Sequence, residues 1–389
     1  MRILIAGQTY RPATNGAATF TIQLAEGLAR AGHRVTVLMP SDRTRSYRAL
    51  CNSVQVCAVR ALPLAPFYPD IYVTPWPRRE VGRLLDEHAP QIVHIQDHYP
   101  LSKAVLVESR RRGLPVVGTN NFLPDNMVPQ VPLLSRSGSL LERVLWRMVL
   151  DVFNRADVVT AATETSARIL REHGLRVPLQ AISSGVDLDR FRPDPGVDRA
   201  GVRSRFDLDA QRTLFLFVSR LDPEKRIDVL LAALQRLRRS DVQLAIAGRG
   251  RQLEALRALA ARLGVGEQVV FTGFVPGQDL PALLNCADVF VMPGEAELQS
   301  IATLEAMATA RPVLLADARA LPELVQPGVN GYLFRPGDAD DCARCMARLL
   351  AERERWAEMG EASRTIARSH DVEHTIGRYE ALYRSLGVH

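Results

Sequence analysis

What this chain has little of narrows it first. Of its 49 basic residues only two are lysine, Lys103 and Lys225; every other one is arginine. The cysteines number five, an odd and scattered set that excludes a secreted disulfide framework. Cys342 and Cys345 form a C-x-x-C pair, but inside a helical pattern and with no second pair or spaced histidines, so no metal site is expected. No run of about 18 apolar residues occurs, which excludes a membrane-spanning helix. The opening MRILIAGQTY lacks a basic region and a small-residue cleavage site, and reads as a buried first strand rather than a signal peptide. Together these absences fit a reduced, cytoplasmic compartment. Aromatic residues are 6% of the chain and do not interleave with the basic ones, and no helix-turn-helix signature appears; nucleic acid is excluded as a partner. GRGRQL holds two glycines of a G-x-G-x-x-G fingerprint and no third, which argues against a dinucleotide-dependent dehydrogenase.

What is present is globular. Hydrophobic residues make up 47% and charged residues 24% of 389 positions. At roughly 100–200 residues per domain the length suggests two domains. The net charge of +6 is unevenly spread: residues 1–180 hold 22 basic against 14 acidic residues, the remainder 27 against 29. The basic excess of the first half points to an anionic partner there, such as a membrane surface or a phosphorylated substrate, or to ordinary solvated surface.

Apolar runs and helical periods alternate along the chain. Residues 2–7 read as a strand, 17–31 as a helix stopped by Gly32, and 35–39 as the next strand. Strands follow at 92–95, 116–118 and 157–161. FRPDPGVDRAG (191–201) reads as a linker or irregular surface. A second set then begins, with strands at 214–218, 244–247, 269–271, 289–292 and 312–315 and helices through 229–237, 253–263 and 301–308. The β-α-β spacing predicts two α/β units, each a doubly wound parallel sheet. Ligands of such units lie at the carboxyl ends of strands, usually in a cleft between domains.

Arg220 and Lys225 fall in the loop after strand 214–218, just ahead of a helix. Two cations beside a helix N-terminus suit a diphosphate; a solvated turn with ion pairs is the other reading. Glu297 lies in the loop after strand 289–292, and Glu305 eight residues on, within the next helix. Carboxylates accept paired hydrogen bonds from vicinal diols of a sugar or ribose. The backbone N–H groups of Gln299, Ser300 and Ile301 lie at that helix N-terminus, ready for a phosphate. A helix capped by acidic residues is the alternative.

These residues, with EAMA-x-x-RPVL after them, resemble the family 4 glycosyltransferases: retaining, metal-independent enzymes that use nucleotide sugars. The resemblance runs through RPATNGAATFTIQLAEGLARAGHRVTV, Ser184-Gly185-Val186-Asp187 with Phe191, Ala247-Gly248-Arg249-Gly250, Phe271-Thr272-Gly273 and the terminal VEHTIGRYEALYRSL. It implies the GT-B fold: two Rossmann-like α/β domains facing a cleft, with a last helix crossing back to the first domain. The expected domains are 1–182 with 371–389, binding the acceptor, and 183–370, binding the donor. By the same resemblance Arg220 and Lys225 bind the donor diphosphate and stabilise the leaving nucleotide, Glu297 holds the transferred sugar, and Glu305 holds the ribose. Gly16 lets the first-domain loop approach the diphosphate. Gly248, Arg249 and Gly273 lie beside the nucleobase. No cofactor is implied beyond the donor, UDP-glucose by the wording of the branch, with GDP-mannose second. The D-L-D triplets at 187–189 and 207–209 read as turns, not metal motifs.

Three positions depart from the family pattern. Asn15-Gly16 stands for Gly-Gly, Ser184 for Asn, and Asn121 for a histidine that faces the transferred sugar. Asn121 is kept with Arg220, Lys225 and Glu297 in the expected catalytic set. It can exchange hydrogen bonds but cannot carry a proton charge, so a protein with weak turnover is a further reading. On the acceptor side, LLERVLWRMVLDVF (140–153) has apolar residues at 141, 144, 145, 148, 149 and 152, with Arg143, Trp146 and Arg147 around them. It reads as a core helix or as one near a membrane surface, where the triple Arg110-Arg111-Arg112 adds charge. HIQDHYPLSKA and GTNNFLPDNM resemble the glycolipid-synthesising branch, whose acceptors include diacylglycerol. His98, Trp146 and Arg143 are the candidate acceptor residues, and His94 and His98 are otherwise structural. The expectation is a hexosyltransferase acting on a lipid at the cytoplasmic membrane face, or on a soluble sugar or sugar phosphate. The oligomeric state is left open.

Overall fold

The computed structural model describes residues 1–11, 15–43, 45–64, 68–75, 77–124 and 138–387. They divide into two compact units, Met1–Gly185 with Val372–His389, and Val186–Asp371.

The first unit runs β1 (Arg2–Ala6), α1 (Gly16–Arg30), β2 (Arg34–Pro40), β3 (Tyr47–Cys51), β4 (Val54–Val59), β5 (Leu62–Leu64), β6 (Tyr68–Val73), α2 (Arg78–His88), β7 (Ile92–Ile95), α3 (Pro100–Arg111), β8 (Val116–Asn120), α4 (Gly138–Phe153), β9 (Val158–Ala161), α5 (Glu164–Glu172) and β10 (Leu179–Ala181). The second runs α6 (Arg199–Arg205), β11 (Thr213–Val218), α7 (Ile227–Leu237), β12 (Val242–Ala247), α8 (Leu253–Arg262), β13 (Val269–Gly273), α9 (Leu280–Cys286), β14 (Val289–Met292), α10 (Ile301–Ala308), β15 (Val313–Ala316), β16 (Gly331–Phe334), α11 (Ala339–Ala351) and α12 (Trp356–Arg368). The last helix, α13 (Val372–Ser385), returns to the first unit.

The first sheet has the order β10-β9-β8-β7-β1-β2-β4-β3. Its central strands are buried on both faces, as helix-covered parallel strands must be, which is why they read as short unbroken apolar runs. The edge strand β3 departs from the expected parallel sheet: it pairs antiparallel with β4. β5 and β6 form a separate two-stranded ribbon. Asn15 starts α1 from an extended conformation (φ −154°) and its side chain accepts the Ala18 N–H at 2.9 Å. α13 completes this unit. Its Tyr379 and Tyr383 are fully buried, and their hydroxyls meet Thr160 at 3.0 Å and His94 at 2.7 Å.

The second sheet is six parallel strands in the order β13-β12-β11-β14-β15-β16. Strand order reverses between β11 and β14, the position where doubly wound sheets hold ligands. The stretch 191–201 is not a linker between units. Phe191 is fully buried in the second unit's core, and the chain crosses earlier, between Gly185 and Val186. Gly185 (φ +81°) has no room for a side chain, since a Cβ would stand 2.8 Å from the Val372 backbone. Val186 N–H then donates to His370 O at 2.8 Å.

In α4, Leu145, Trp146, Val149 and Val152 are buried, while Val144 and Met148 are 48% and 52% exposed. The apolar stripe is therefore wider than the buried face, and the core-helix reading holds for only part of it. Cys342 is buried in α11 and the Cys345 thiol donates to Leu333 O at 3.5 Å, both as packing groups.

Candidate functional site

The loops after β11 and β14 meet at the switch point of the second sheet. β11 ends at Val218, and a short 3-10 turn, Pro223–Lys225, leads into α7. Three contacts tie this segment to the loop after β14. Glu295 N–H donates to Glu224 O at 3.1 Å, the Arg226 guanidinium pairs with Glu295, and Lys225 Nζ donates to Glu297 Oε1 at 2.6 Å. Arg226 takes the left-handed conformation (φ +49°), so strain is stored where the two loops meet.

Lys225 and Glu297 are thus one device. Their side chains are 14% and 10% exposed, and a pair so placed is partly shielded from water. Arg220 sits beside them, about half exposed, and donates to Asp222 and to Glu224 Oε1, the latter at 3.1 Å. Asp222 and Glu224 are buried, and burial pushes the Glu224 carboxyl above its ordinary range. Neither acid was singled out from sequence, although Arg220-x-Asp222-x-Glu224 carried the signal. Their effect is to hold the fork of Arg220 in one geometry while leaving its outer side to solvent.

Glu305 lies inside α10, 8% exposed, and its carboxyl has no hydrogen-bond or ion-pair partner among the described residues. Burial raises its pKa to about 7, against a weak opposing pull from Arg190. Ahead of it Ser300 caps the helix, accepting from Thr303 N–H at 3.3 Å. That takes one of the first-turn donors and leaves those of earlier positions, Ile301 among them, without intrahelical partners. Gln299 immediately precedes the cap.

Gly248 and Gly250 have a structural duty. A Cβ on Gly248 would meet Ser219 O at 1.8 Å, and one on Gly250 would meet Leu221 backbone at 2.4 Å. Leu221 N–H to Arg249 O (2.9 Å) clamps the loop after β12 to that after β11, and Gly248 N–H to Gly273 O (2.8 Å) ties it to the end of β13. Gly273 (φ +72°) faces open space, and the Arg249 guanidinium lies 5.4 Å from the half-exposed Phe274 ring. Arg249, Gly273 and Phe274 thus flank one end of the loops after β11 and β12.

In the first unit, strand order reverses between β1 and β7. Asn121, just past β8, donates to Gln96 Oε1 at 3.3 Å, and Gln96 donates to His94 Nε2 at 3.3 Å. His94 is fully buried against Tyr383 and Thr119, both at 2.7 Å, and burial lowers its pKa to about 3. It is a neutral structural group. His98 is 6% exposed between the rings of Tyr99 and Phe122, each 4.8 Å away, and its Nδ1 has no partner among the described residues. Burial lowers its pKa to about 4. Gly16 is the exposed first residue of α1, directly after the Asn15 cap. That cap gives Asn15 a function that a glycine would not supply. Trp146 and Arg143 line a separate groove that does not include His98. The two D-L-D triplets are turns: Asp187 accepts from Asp189 and Arg190 N–H, and Asp209 from Gln211 and Arg212 N–H.

Two doubly wound α/β units of this topology define the GT-B class of glycosyltransferase fold. Residues 14–190 match Glycosyltransferase Family 4 and residues 198–366 match Glycosyl transferases group 1. The chain is 31% identical over 378 residues to a GDP-mannose-dependent alpha-(1-6)-phosphatidylinositol monomannoside mannosyltransferase of Mycobacterium tuberculosis, covering 93% of this chain and 92% of that one. It is 30% identical to a GDP-mannose-dependent alpha-mannosyltransferase of Mycolicibacterium smegmatis, covering 98% of each. A solved sucrose-phosphate synthase from Thermosynechococcus elongatus shares the fold, with a TM-score of 0.79 at 20% identity and 99% coverage of both chains. The chain therefore belongs to the family 4, group 1 glycosyltransferases, which draw on a nucleotide sugar. Among the described residues no helix is long and apolar enough to cross a membrane.

Proposed function

We propose that this protein moves one hexose from a nucleotide sugar to a lipid acceptor at a membrane face, with retention and without a metal. The observation that carries this is the Lys225–Glu297 pair beside Arg220, on the loops flanking one switch point, with the unpartnered carboxyl of Glu305 in the helix that follows. In this reading Arg220 and Lys225 take up the charge that grows on the departing diphosphate. Glu297, already oriented by Lys225, accepts from hydroxyls of the hexose, and Glu305 from those of the ribose. The first-turn N–H groups of α10 add partial positive charge toward the donor. Asn121 offers an amide to the hexose in place of an imidazole.

GDP-mannose is the first choice of donor, supported by the relatives that align along nearly the whole chain. This reverses the order that the sequence wording favoured. UDP-glucose with diacylglycerol stays as the second reading, on the branch-like ELQS-x-x-T-x-EAMA segment. The test is nucleotide release and lipid product formation from GDP-mannose and UDP-glucose, with vesicles holding phosphatidylinositol or diacylglycerol. Release that rises only with one lipid identifies donor and acceptor together. Transfer to soluble sugar phosphates and to neither lipid would overturn the lipid reading.

A further inference from the structure

We infer that Gln96 is a positioning residue for Asn121, and that Tyr383 of α13 fixes it there through the ring of His94. The inference deepens the proposed transfer reaction and rests on its placing of Asn121 beside the hexose. All four residues belong to the first unit.

Asn121 is half-buried just past β8. Its one side-chain hydrogen bond among the described residues runs to Gln96 Oε1 at 3.3 Å. The torsion that aims an asparagine amide is broad, so the group keeps one direction only where a partner fixes it. The neighbouring amide of Asn120 does not serve, since it turns back to Phe122 O at 3.0 Å. Gln96 is itself well held. It is 5% exposed directly after β7, and its backbone N–H donates to Ala6 O at 2.8 Å. Gly7 leaves it room, because a Cβ there would stand 3.0 Å from Gln96 Cβ.

His94 lies two residues earlier, on the same side of the strand. Its Nε2 is 3.3 Å from the Gln96 amide nitrogen. The ring is pinned at both nitrogens: Nε2 meets Thr119 Oγ1 and Nδ1 meets the Tyr383 hydroxyl, each at 2.7 Å. Tyr383 is pinned in turn, because α13 is locked against α1. A Cβ on Gly27 would fall 2.0 Å from Ile376 Cδ1, and the rings of Phe20 and Tyr379 pack 5.9 Å apart. The contacts therefore start at a fixed helix and end at a half-buried amide beside the carboxyl ends of the strands.

A buried polar cluster can serve strand register alone, and one branch of this cluster does. Thr119, Thr160 and Tyr379 bond one another at 2.6–3.2 Å and close within the core. The Gln96 branch, joined to it at Thr119, does not close. It leaves the core on the side where doubly wound sheets meet ligands. The two tyrosines of α13 thus have separate duties, Tyr379 in stability and Tyr383 in the placement of Asn121.

The first arm of the test is nucleotide release by the full-length protein from GDP-mannose and UDP-glucose. Gln96→Met keeps the length of the side chain and removes its amide. It should lower kcat about tenfold, as Asn121→Ala does, with donor KM held within about twofold. Asn121→Ala with Gln96→Met should be no slower than Asn121→Ala alone, because the group being positioned is already gone. Tyr383→Phe should lower kcat about threefold and add nothing in the Asn121→Ala background. Tyr379→Phe, the same change one turn away, should lower the melting temperature and leave kcat unchanged. Wild-type kcat in Gln96→Met beside a slow Asn121→Ala, losses that multiply in the double variants, or an equal kcat loss in Tyr379→Phe would overturn the proposal. A fully active Asn121→Ala would instead overturn the placing of Asn121 beside the hexose. The second arm needs no turnover. Gln96→Met and Tyr383→Phe should each shift the Asn121 side-chain amide signal in nitrogen–proton NMR spectra, assigned by its absence from Asn121→Ala, and Tyr379→Phe should not. A signal that stays in place in Tyr383→Phe would overturn the link to α13 whatever the kinetics. Thermal melts of every variant report whether the fold is intact.

Discussion

Glu305 is placed where a carboxylate ionises at a cost, and the cost has a sign. Its folded pKa of about 7 lies above the ordinary 4.5, so the folded state prefers the protonated form. Its contribution is complete below about pH 4.5 and is lost as pH rises through 7. Glu305→Gln should therefore stabilise the donor-free protein at pH 8 by up to about 3 kcal/mol, at 1.36 kcal/mol per pKa unit, and by little at pH 4. Chemical denaturation at both pH values checks this. The same variant should bind nucleotide sugar about tenfold more weakly, read by calorimetry. Lys225 and Glu297 oppose each other differently. Lys225→Ala strands a nearly buried carboxylate and should cost a few kcal/mol of stability, whereas Lys225→Ala with Glu297→Gln should recover part of it. Either single change should lower kcat on the order of a hundredfold, in assays at saturating donor. For Asn121, Asn121→Ala should lower kcat about tenfold through loss of one hydrogen bond, and Asn121→His should raise kcat and give it a pH dependence near 6.5. A flat pH–rate profile in the histidine variant would argue against a place beside the reacting sugar.

At the scale of elements, the loops after β11 and β12 are held by backbone and by the absence of side chains. Gly248→Ala should unfold or destabilise the second unit by several kcal/mol, because its Cβ would overlap Ser219 O. Gly273→Ala meets no atom within 4 Å and pays only for its left-handed backbone, about 1–2 kcal/mol. Thermal melts of the two variants give the comparison. These elements were the legible ones. β14 and α10 were read at their bounds from their apolar runs, and the structure adds the Ser300 cap at the start of α10. The region between β2 and α2 was not legible. β3 is mostly exposed and lies at an edge, so no alternation marks it. α6 was hidden because its one buried residue is Arg203, a charged side chain that binds backbone carbonyls. Candidate site residues with distinctive chemistry, Arg220, Lys225, Glu297 and Glu305, stood out singly. Their supports Asp222, Glu224 and Gln96 did not, because each acts through a partner that only the folded turn or strand end brings near.

For the whole molecule, the decisive link is α13. Its tyrosines close the hydrogen-bonded cluster of His94, Thr119 and Thr160 at the centre of the first sheet. A chain cut after Asp371 should lose the cooperative melt of the first unit and keep that of the second, whose residues are contiguous. Hydrogen exchange resolved by segment tests this, with β7, β8 and β9 expected to lose protection and β11, β12 and β14 to retain it.

The return of α13 also sets a schedule. During synthesis the residues of β1 leave the ribosome before the second unit, yet the helix that seals their sheet is made only after it. At about 5–20 residues per second, the second unit alone, Val186–Asp371, delays it on the order of 10–40 s. The second unit can finish within that interval. The first unit therefore waits, partly assembled, until α13 is made, and a chaperone that shelters nascent chains would find its client there.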